Sequence, residues 1–328
     1  MRRERTGLLW DCMTRDKKKV SFFIVGQPKS GTSALANFLS QHPAICMAEP
    51  KEPGYFAKDH IEENEQQGTG GAFLKARTLT EYEHHFSHGK PEEMRGEATT
   101  IYLYSRVAAQ EIHNYNPDAK IIIMLRNPVS FLHALHMQHV NDGSEDEPDF
   151  EKALAKEADR KQGINIPKRA PAPSHLHYSE RAKYAEQIER YTRLFPRKNI
   201  LFLTMEDFQA DNRKVYQQVL RFLEVDENFE PQFKQVNGST APRSYVLHKA
   251  LSSPTLKKTL FNALGPYRYS KLKSDMTKVV MKPAARSPLS DQIRERLMHE
   301  TLQEVERTAK LTGLDLATKW DYSPRSAS

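Results

Sequence analysis

The stretch Val20-Ser-Phe-Phe-Ile-Val25 is a short apolar run rich in β-branched and aromatic residues. It ends at Gly26-Gln-Pro-Lys-Ser-Gly-Thr-Ser33, where helical spacing takes over. An apolar run without alternation suits a strand buried on both faces, which is the parallel-sheet case. Parallel strands need crossover connections, so a chain opening this way is committed to strands alternating with helices. Lys120-Ile-Ile-Ile-Met-Leu125 and Asn199-Ile-Leu-Phe-Leu203 are further runs of this kind, with weaker strand candidates at Ala44 to Met47 and around Gly96 to Thr99. Helical spacing appears at Tyr184, Ile188, Tyr191 and Phe195, at Val215, Val219 and Phe222, and from Ile293 and Leu297 after Pro288. The expected fold class is α/β: a single domain with a central parallel sheet flanked by helices, joined by right-handed crossovers.

The loop after the first run has the composition of an anion site. A helix N-terminus offers unpaired N–H groups and the positive end of its dipole. Gly31 lets the backbone approach closely, and the hydroxyls of Thr32 and Ser33 add donors. In the nucleotide-hydrolase pattern G-x-x-x-x-G-K-[ST] the lysine follows the last glycine, beside the magnesium-binding hydroxyl. Here Lys29 precedes Gly31 by two residues, so it leans over the anion rather than sitting behind it. The same residues also suit a tight turn with a Ser/Thr helix cap and an exposed lysine. Arg126, at the end of the Lys120–Leu125 run, carries a planar fork of donors suited to phosphate, and Pro128 fits the first turn of a following helix.

Pro28-Lys-Ser-Gly-Thr-Ser33, followed by Ala34-Leu35 and His42-Pro43, resembles the 5′-phosphosulfate loop of sulfotransferases that use 3′-phosphoadenosine 5′-phosphosulfate (PAPS). Ile121-Ile-Ile-Met-Leu-Arg-Asn-Pro128 is similar to that family's 3′-phosphate motif, a strand ending in R-[DN]-P. The resemblance spans roughly residues 20 to 322 and is closest to the glycan and bacterial branch. It implies a P-loop-like sulfotransferase fold, PAPS as co-substrate, adenosine 3′,5′-bisphosphate as product, and no metal. It also implies cofactor-binding roles for Lys29, Ser30, Gly31, Thr32, Ser33 and Arg126, with Lys29 steadying the bridging oxygen as the sulfuryl group leaves. Glu49-Pro-Lys-Glu-Pro-Gly-Tyr-Phe56 resembles the family's E-x-x-[FY]-F segment, which makes Glu52 the catalytic base, with Glu49 and Glu97 as competitors. A base in this position is expected to be partly desolvated, with a raised pKa.

The chain departs from the family pattern at identifiable places. Where relatives carry a serine eight residues after the arginine, this chain has Ala134, and Ser130, one helical turn earlier, is the expected substitute. Gly96-Glu97-Ala98-Thr99-Thr100-Ile101-Tyr102 resembles the G-E-K-[ST]-P-x-Y segment but lacks its lysine and proline. His133, His136 and His139 share one helix at spacings of three, where a metal trio competes with packing roles; His136 is the expected acceptor or nucleotide contact. Arg243, in a late loop that closes over the nucleotide in bacterial members, is a further expected nucleotide contact.

Composition bounds the rest. The chain has 328 residues, a net charge of +7 and only two cysteines, Cys12 and Cys46. No disulfide framework or zinc spacing is present, and no run of 18 apolar residues marks a membrane span. A basic extension over 1–19, a sulfotransferase domain over 20–322 and a flexible tail over 323–328 are expected. His60 to Gly71 and Lys168 to Pro173 are expected to be exposed loops. The positive charge suits an anionic partner, but no nucleic-acid-binding signature accompanies it. The expected partner is a small-molecule or glycan acceptor, in a cytoplasmic setting. The competing readings are a P-loop nucleotide or nucleoside kinase, which needs magnesium and ATP, and a catalytically degenerate nucleotide-binding module.

Overall fold

All five sequence runs form strands: β1 (Phe22–Gly26), β2 (Ile45–Met47), β3 (Met94–Ala98), β4 (Lys120–Leu125) and β5 (Ile200–Thr204). The computed structural model describes residues 18–68, 76–233, 240–242, 281–283 and 289–322. The strands build one parallel sheet in the order β2-β3-β1-β4-β5. Phe22 to Val25 and Ile121 to Leu125 have no exposure, as expected for strands covered on both faces. Each such side chain stabilises the fold by about 1.5–3 kcal/mol. The sequence-based expectation of an α/β fold with a central parallel sheet holds.

The main helices are α1 (Thr32–Leu39), α2 (Lys58–Gln67), α3 (Leu79–His84), α4 (Ala108–Tyr115), α5 (Pro128–Asp142), α6 (Tyr184–Thr192), α7 (Met205–Ala210), α8 (Asn212–Leu223) and α9 (Asp291–Thr312). The described residues fall into two compact units: 18–59, 76–125 and 186–233 in the first, and 60–68, 126–185, 240–242, 281–283 and 289–322 in the second. The first holds the whole sheet. Within it Phe38 of α1 meets Tyr216 of α8 and Phe233 edge to face, with ring centroids 6.4 and 5.0 Å apart. In the second unit α5 packs on α9, and Thr240–Pro242 pairs antiparallel with Met281–Pro283. Its core also contains an ion pair with no solvent exposure: Arg160 donates to both carboxylate oxygens of Glu145 at 2.6 and 2.7 Å, and Tyr178 adds a third bond at 3.0 Å.

One expected loop is a helix. The segment from His60 is the body of α2, which runs to Gln67 and buries His60, Ile61 and Asn64. Its inward face is mostly polar: Asn64 donates to the Pro171 carbonyl at 2.7 Å, His60 Nδ1 lies 3.6 Å from a Glu63 carboxylate oxygen, and Glu63 accepts from the Ser174 amide at 2.8 Å. A helix that buries hydrogen-bonded polar groups lacks the apolar stripe by which helices are read. Lys168 and Arg169 are exposed as expected of a loop, yet Ala170 and Ala172 in the same segment are fully buried.

Candidate active site

In a parallel sheet whose strand order reverses, ligands bind beyond the carboxyl ends of the strands. β1 ends at Gly26 in the middle of the sheet, and the loop to α1 is the phosphate-loop candidate. Gly31 is its N-cap, with φ +87°, and no side chain caps the helix and no acidic residue lies in its first turn. Ala34 and Leu35 already donate to the Gly31 carbonyl, so the anion-facing donors are those of the loop and the first helical residues. A Cβ on Gly31 would lie 3.0 Å from both Met205 Sδ and Phe208 Cδ1 of α7. The cradle therefore requires glycine for two reasons, conformation and space. Thr32 and Ser30 are buried, while Lys29 is exposed with φ +61°. An uncapped, close-packed helix start with a basic residue before it fits a phosphosulfate group.

Glu52 belongs to the same unit. It is a non-glycine residue with φ +62°, in the left-handed region that structures retain where surroundings impose it. Its side chain is 44% exposed and pairs with Lys51 Nζ at 2.8 Å, and the Thr100 hydroxyl donates to it at 3.1 Å. Both partners engage Oε1, so Oε2 is the oxygen placed to take a proton. Thr100 is one of the positions where the chain departs from the family motif, and its hydroxyl has a definite task here.

Of the three candidate glutamates, Glu97 at the end of β3 is the buried one. That carboxyl has no exposure and accepts from Tyr82 at 2.6 Å on Oε2, from Thr99 at 2.6 Å on Oε1, and from Tyr102. Desolvation pushes it up to about 7, against the opposing pull of the three hydroxyls. The desolvation expected at Glu52 is found at Glu97 instead, which has no exposure against 44% for the Glu52 side chain. A group so enclosed cannot meet an acceptor directly. The surrounding Tyr82 has no sequence signal: it comes from α3, 15 residues before Glu97, and no motif marks it.

In the second unit Arg126 follows directly on the last residue of β4 and is 8% exposed; its carbonyl accepts from Tyr184 at 3.1 Å. The start of α5 differs from that of α1. Asn127 caps it by accepting from the Ser130 amide at 3.1 Å, and Pro128 in the first turn has no N–H to give. An anion here would therefore be met chiefly by the Arg126 guanidinium. Ser130 is exposed while Ala134 is buried, so the two positions share a helix face but differ in environment. His136 departs from the expected acceptor contact. It is buried, its Nε2 lies 2.9 Å from the Glu147 carbonyl, and its ring packs on Phe150 and Tyr178. His133 packs on Phe150, and burial holds His139 down to about 3. Among the described residues no group of three or more His, Cys, Asp or Glu could hold a metal ion, and no helix is long and apolar enough to cross a membrane. Arg243 lies outside the described residues.

The sulfotransferase domain family matches residues 19–256, and the chain belongs to that family. It is a sulfotransferase, an enzyme that transfers sulfuryl groups. Human heparan sulfate glucosamine 3-O-sulfotransferase 6 is 26% identical over 256 residues, covering 74% of this chain and 67% of its own. Mouse carbohydrate sulfotransferase 15 is 23% identical over 253 residues, covering 64% of this chain and 45% of its own. The crystal structure of a sulfotransferase from Alicyclobacillus acidocaldarius superposes with a TM-score of 0.65 at 26% identity, covering 91% of this chain and 98% of its own.

Proposed function

We propose that this enzyme transfers the sulfuryl group of PAPS to a hydroxyl or amine of a carbohydrate acceptor. The observation that carries the reading is the uncapped start of α1 behind Gly31, in the same unit as a half-exposed Glu52 held on one oxygen by Lys51 and Thr100. The loop N–H groups and the hydroxyls of Thr32 and Ser33 bind the 5′-phosphosulfate, and Lys29 meets the charge that grows on the bridging oxygen. Arg126 anchors the 3′-phosphate. Glu52 Oε2 accepts the acceptor's proton as its oxygen or nitrogen bonds to sulfur; the sulfur–oxygen bond to phosphate breaks, and adenosine 3′,5′-bisphosphate leaves. The carbohydrate acceptor is supported by the relatives' own substrates, and PAPS by the two motifs.

Thermal-shift titration tests the donor. Stabilisation is expected from adenosine 3′,5′-bisphosphate without added metal, and reduced in Lys29→Ala and Arg126→Ala. Stabilisation by ATP with magnesium but not by the bisphosphate refutes it. Sulfate transfer from PAPS to a panel of heparan sulfate and other carbohydrate oligosaccharides, lowered about 100-fold or more yet still measurable in Glu52→Gln, tests the acceptor class.

A further inference from the structure

Glu97 is the hub of the two segments that meet at Glu52. Thr99, whose hydroxyl donates to Glu97 Oε1 at 2.6 Å, directly precedes Thr100, whose hydroxyl donates to Glu52 at 3.1 Å. Tyr102 binds Glu97 and accepts at its own hydroxyl from the Phe56 amide at 3.3 Å, four residues beyond Glu52. Tyr82, on Glu97 Oε2, stacks against Tyr55 with centroids 5.3 Å apart and meets the Phe56 ring edge to face at 5.0 Å. One helix turn on, His85 Nδ1 lies 2.9 Å from the Pro50 carbonyl. The segment carrying Glu52 in its left-handed conformation is thus tied to a single buried carboxyl from two directions, through Thr99 on one side and the two tyrosines on the other.

We propose that Glu97 is a positioning residue for the Glu52 carboxylate, a role that rests on Glu52 being the base proposed above. A buried acid that only filled space would be replaceable by an apolar residue at little cost, since ionisable groups are expensive to bury. Glu97 instead accepts three hydroxyl protons at once, which only a carboxylate with four lone-pair sites does readily. Losing that arrangement frees Thr100 and Phe56 together, and misplacing a reacting group by about 1 Å costs roughly a hundredfold in rate.

The test compares Glu97→Gln and Tyr102→Phe with the wild type, singly and in a Glu52→Gln background. Release of adenosine 3′,5′-bisphosphate from PAPS is followed with heparan sulfate as acceptor and with water as the only acceptor, and bisphosphate binding is measured by calorimetry. Both single variants are expected to lower kcat about 10- to 100-fold, to leave bisphosphate affinity and stoichiometry within about 2-fold, and to have no further effect once Glu52 is Gln. An unchanged kcat overturns the proposal, as does an equal loss in the Glu52→Gln background or a loss that only tracks reduced binding stoichiometry. If Glu97→Gln does not fold, Tyr102→Phe alone decides by the same criteria. If Glu52→Gln itself keeps wild-type kcat while Lys29→Ala loses it, the base assignment fails and the proposal fails with it, a signature distinct from the others.

Discussion

Lowering the pH should stabilise the wild-type protein relative to Glu97→Gln, the reverse of the usual behaviour of an acidic side chain. The reason is burial. The Glu97 carboxyl ordinarily titrates at 4.5 and is pushed up to about 7 in the fold, so folding binds a proton between those values. The stabilisation this supplies is fully present below pH 4.5 and is lost as pH rises through 7, because above that the fold must hold a desolvated carboxylate. The gap between 4.5 and about 7, at roughly 1.4 kcal/mol per pH unit, amounts to about 3 kcal/mol. Urea denaturation followed by circular dichroism, on both proteins from pH 4.5 to 8, isolates the effect. The histidines that burial holds neutral, His139 and His175, destabilise both proteins alike in acid and cancel in the difference. The stability of wild type minus variant should fall by about 3 kcal/mol across that range. A difference that stays flat or rises with pH refutes the reasoning.

Gly31→Ala forces an alanine to φ +87° and its Cβ to 3.0 Å from Met205 and Phe208; a stability loss of about 1–3 kcal/mol by thermal melting is expected, with weaker bisphosphate binding. Arg160→Met leaves the Glu145 carboxylate unpaired with no solvent exposure, which should cost about 3–5 kcal/mol; Arg296→Ala, whose pairing with Glu151 is about half exposed, should cost under about 1 kcal/mol in the same denaturation assay. If Ser130 takes over from the serine missing at Ala134, Ser130→Ala should weaken bisphosphate binding about 3-fold or more by calorimetry, the scale of one lost hydrogen bond; unchanged affinity assigns the 3′-phosphate to Arg126 alone. Incubation with EDTA should leave the initial rate of sulfate transfer unchanged.

The strands were legible because a strand covered on both faces has no polar residue to confuse its pattern, and Lys120–Leu125 was read to the residue. β3 was one of the two weaker strand candidates, because Arg95 and Glu97 interrupt it, and the interruption at Glu97 is itself part of the candidate site. α2 was missed for the opposite reason: its inward face of His60, Ile61 and Asn64 is mostly polar, so helical spacing was present without the hydrophobicity that reveals it. The strand-to-helix turn that carries the phosphate-loop candidate was readable because such a tight turn needs particular residues at adjacent positions. The cage around Glu97 was not, since Tyr82, Thr99 and Tyr102 meet only through the packing of α3 against the end of β3. His136 was read from spacing alone, and spacing places a side chain on a helix face without saying whether that face looks onto a ligand or, as here, onto Phe150 and Tyr178.

What keeps Glu97 in place is the sheet itself. β3 pairs with β1 in the register Phe22 to Gly96 and Phe23 to Glu97. A Cβ at Gly96 would fall 2.0 Å from the Phe22 ring, so only glycine lets that ring lie across the strand. Because side chains alternate along a strand, a slip of one residue would carry Glu97 to the face that Gly96 leaves open for Phe22 and strip it of its hydroxyl partners. The aromatic core of β1 therefore fixes the position of the buried acid, and the acid's three bonds extend that fixed position to Thr100 and Phe56. A costly buried carboxyl is retained where an apolar side chain would be more stable, because an apolar side chain has no directional bonds with which to hold the loop that carries Glu52.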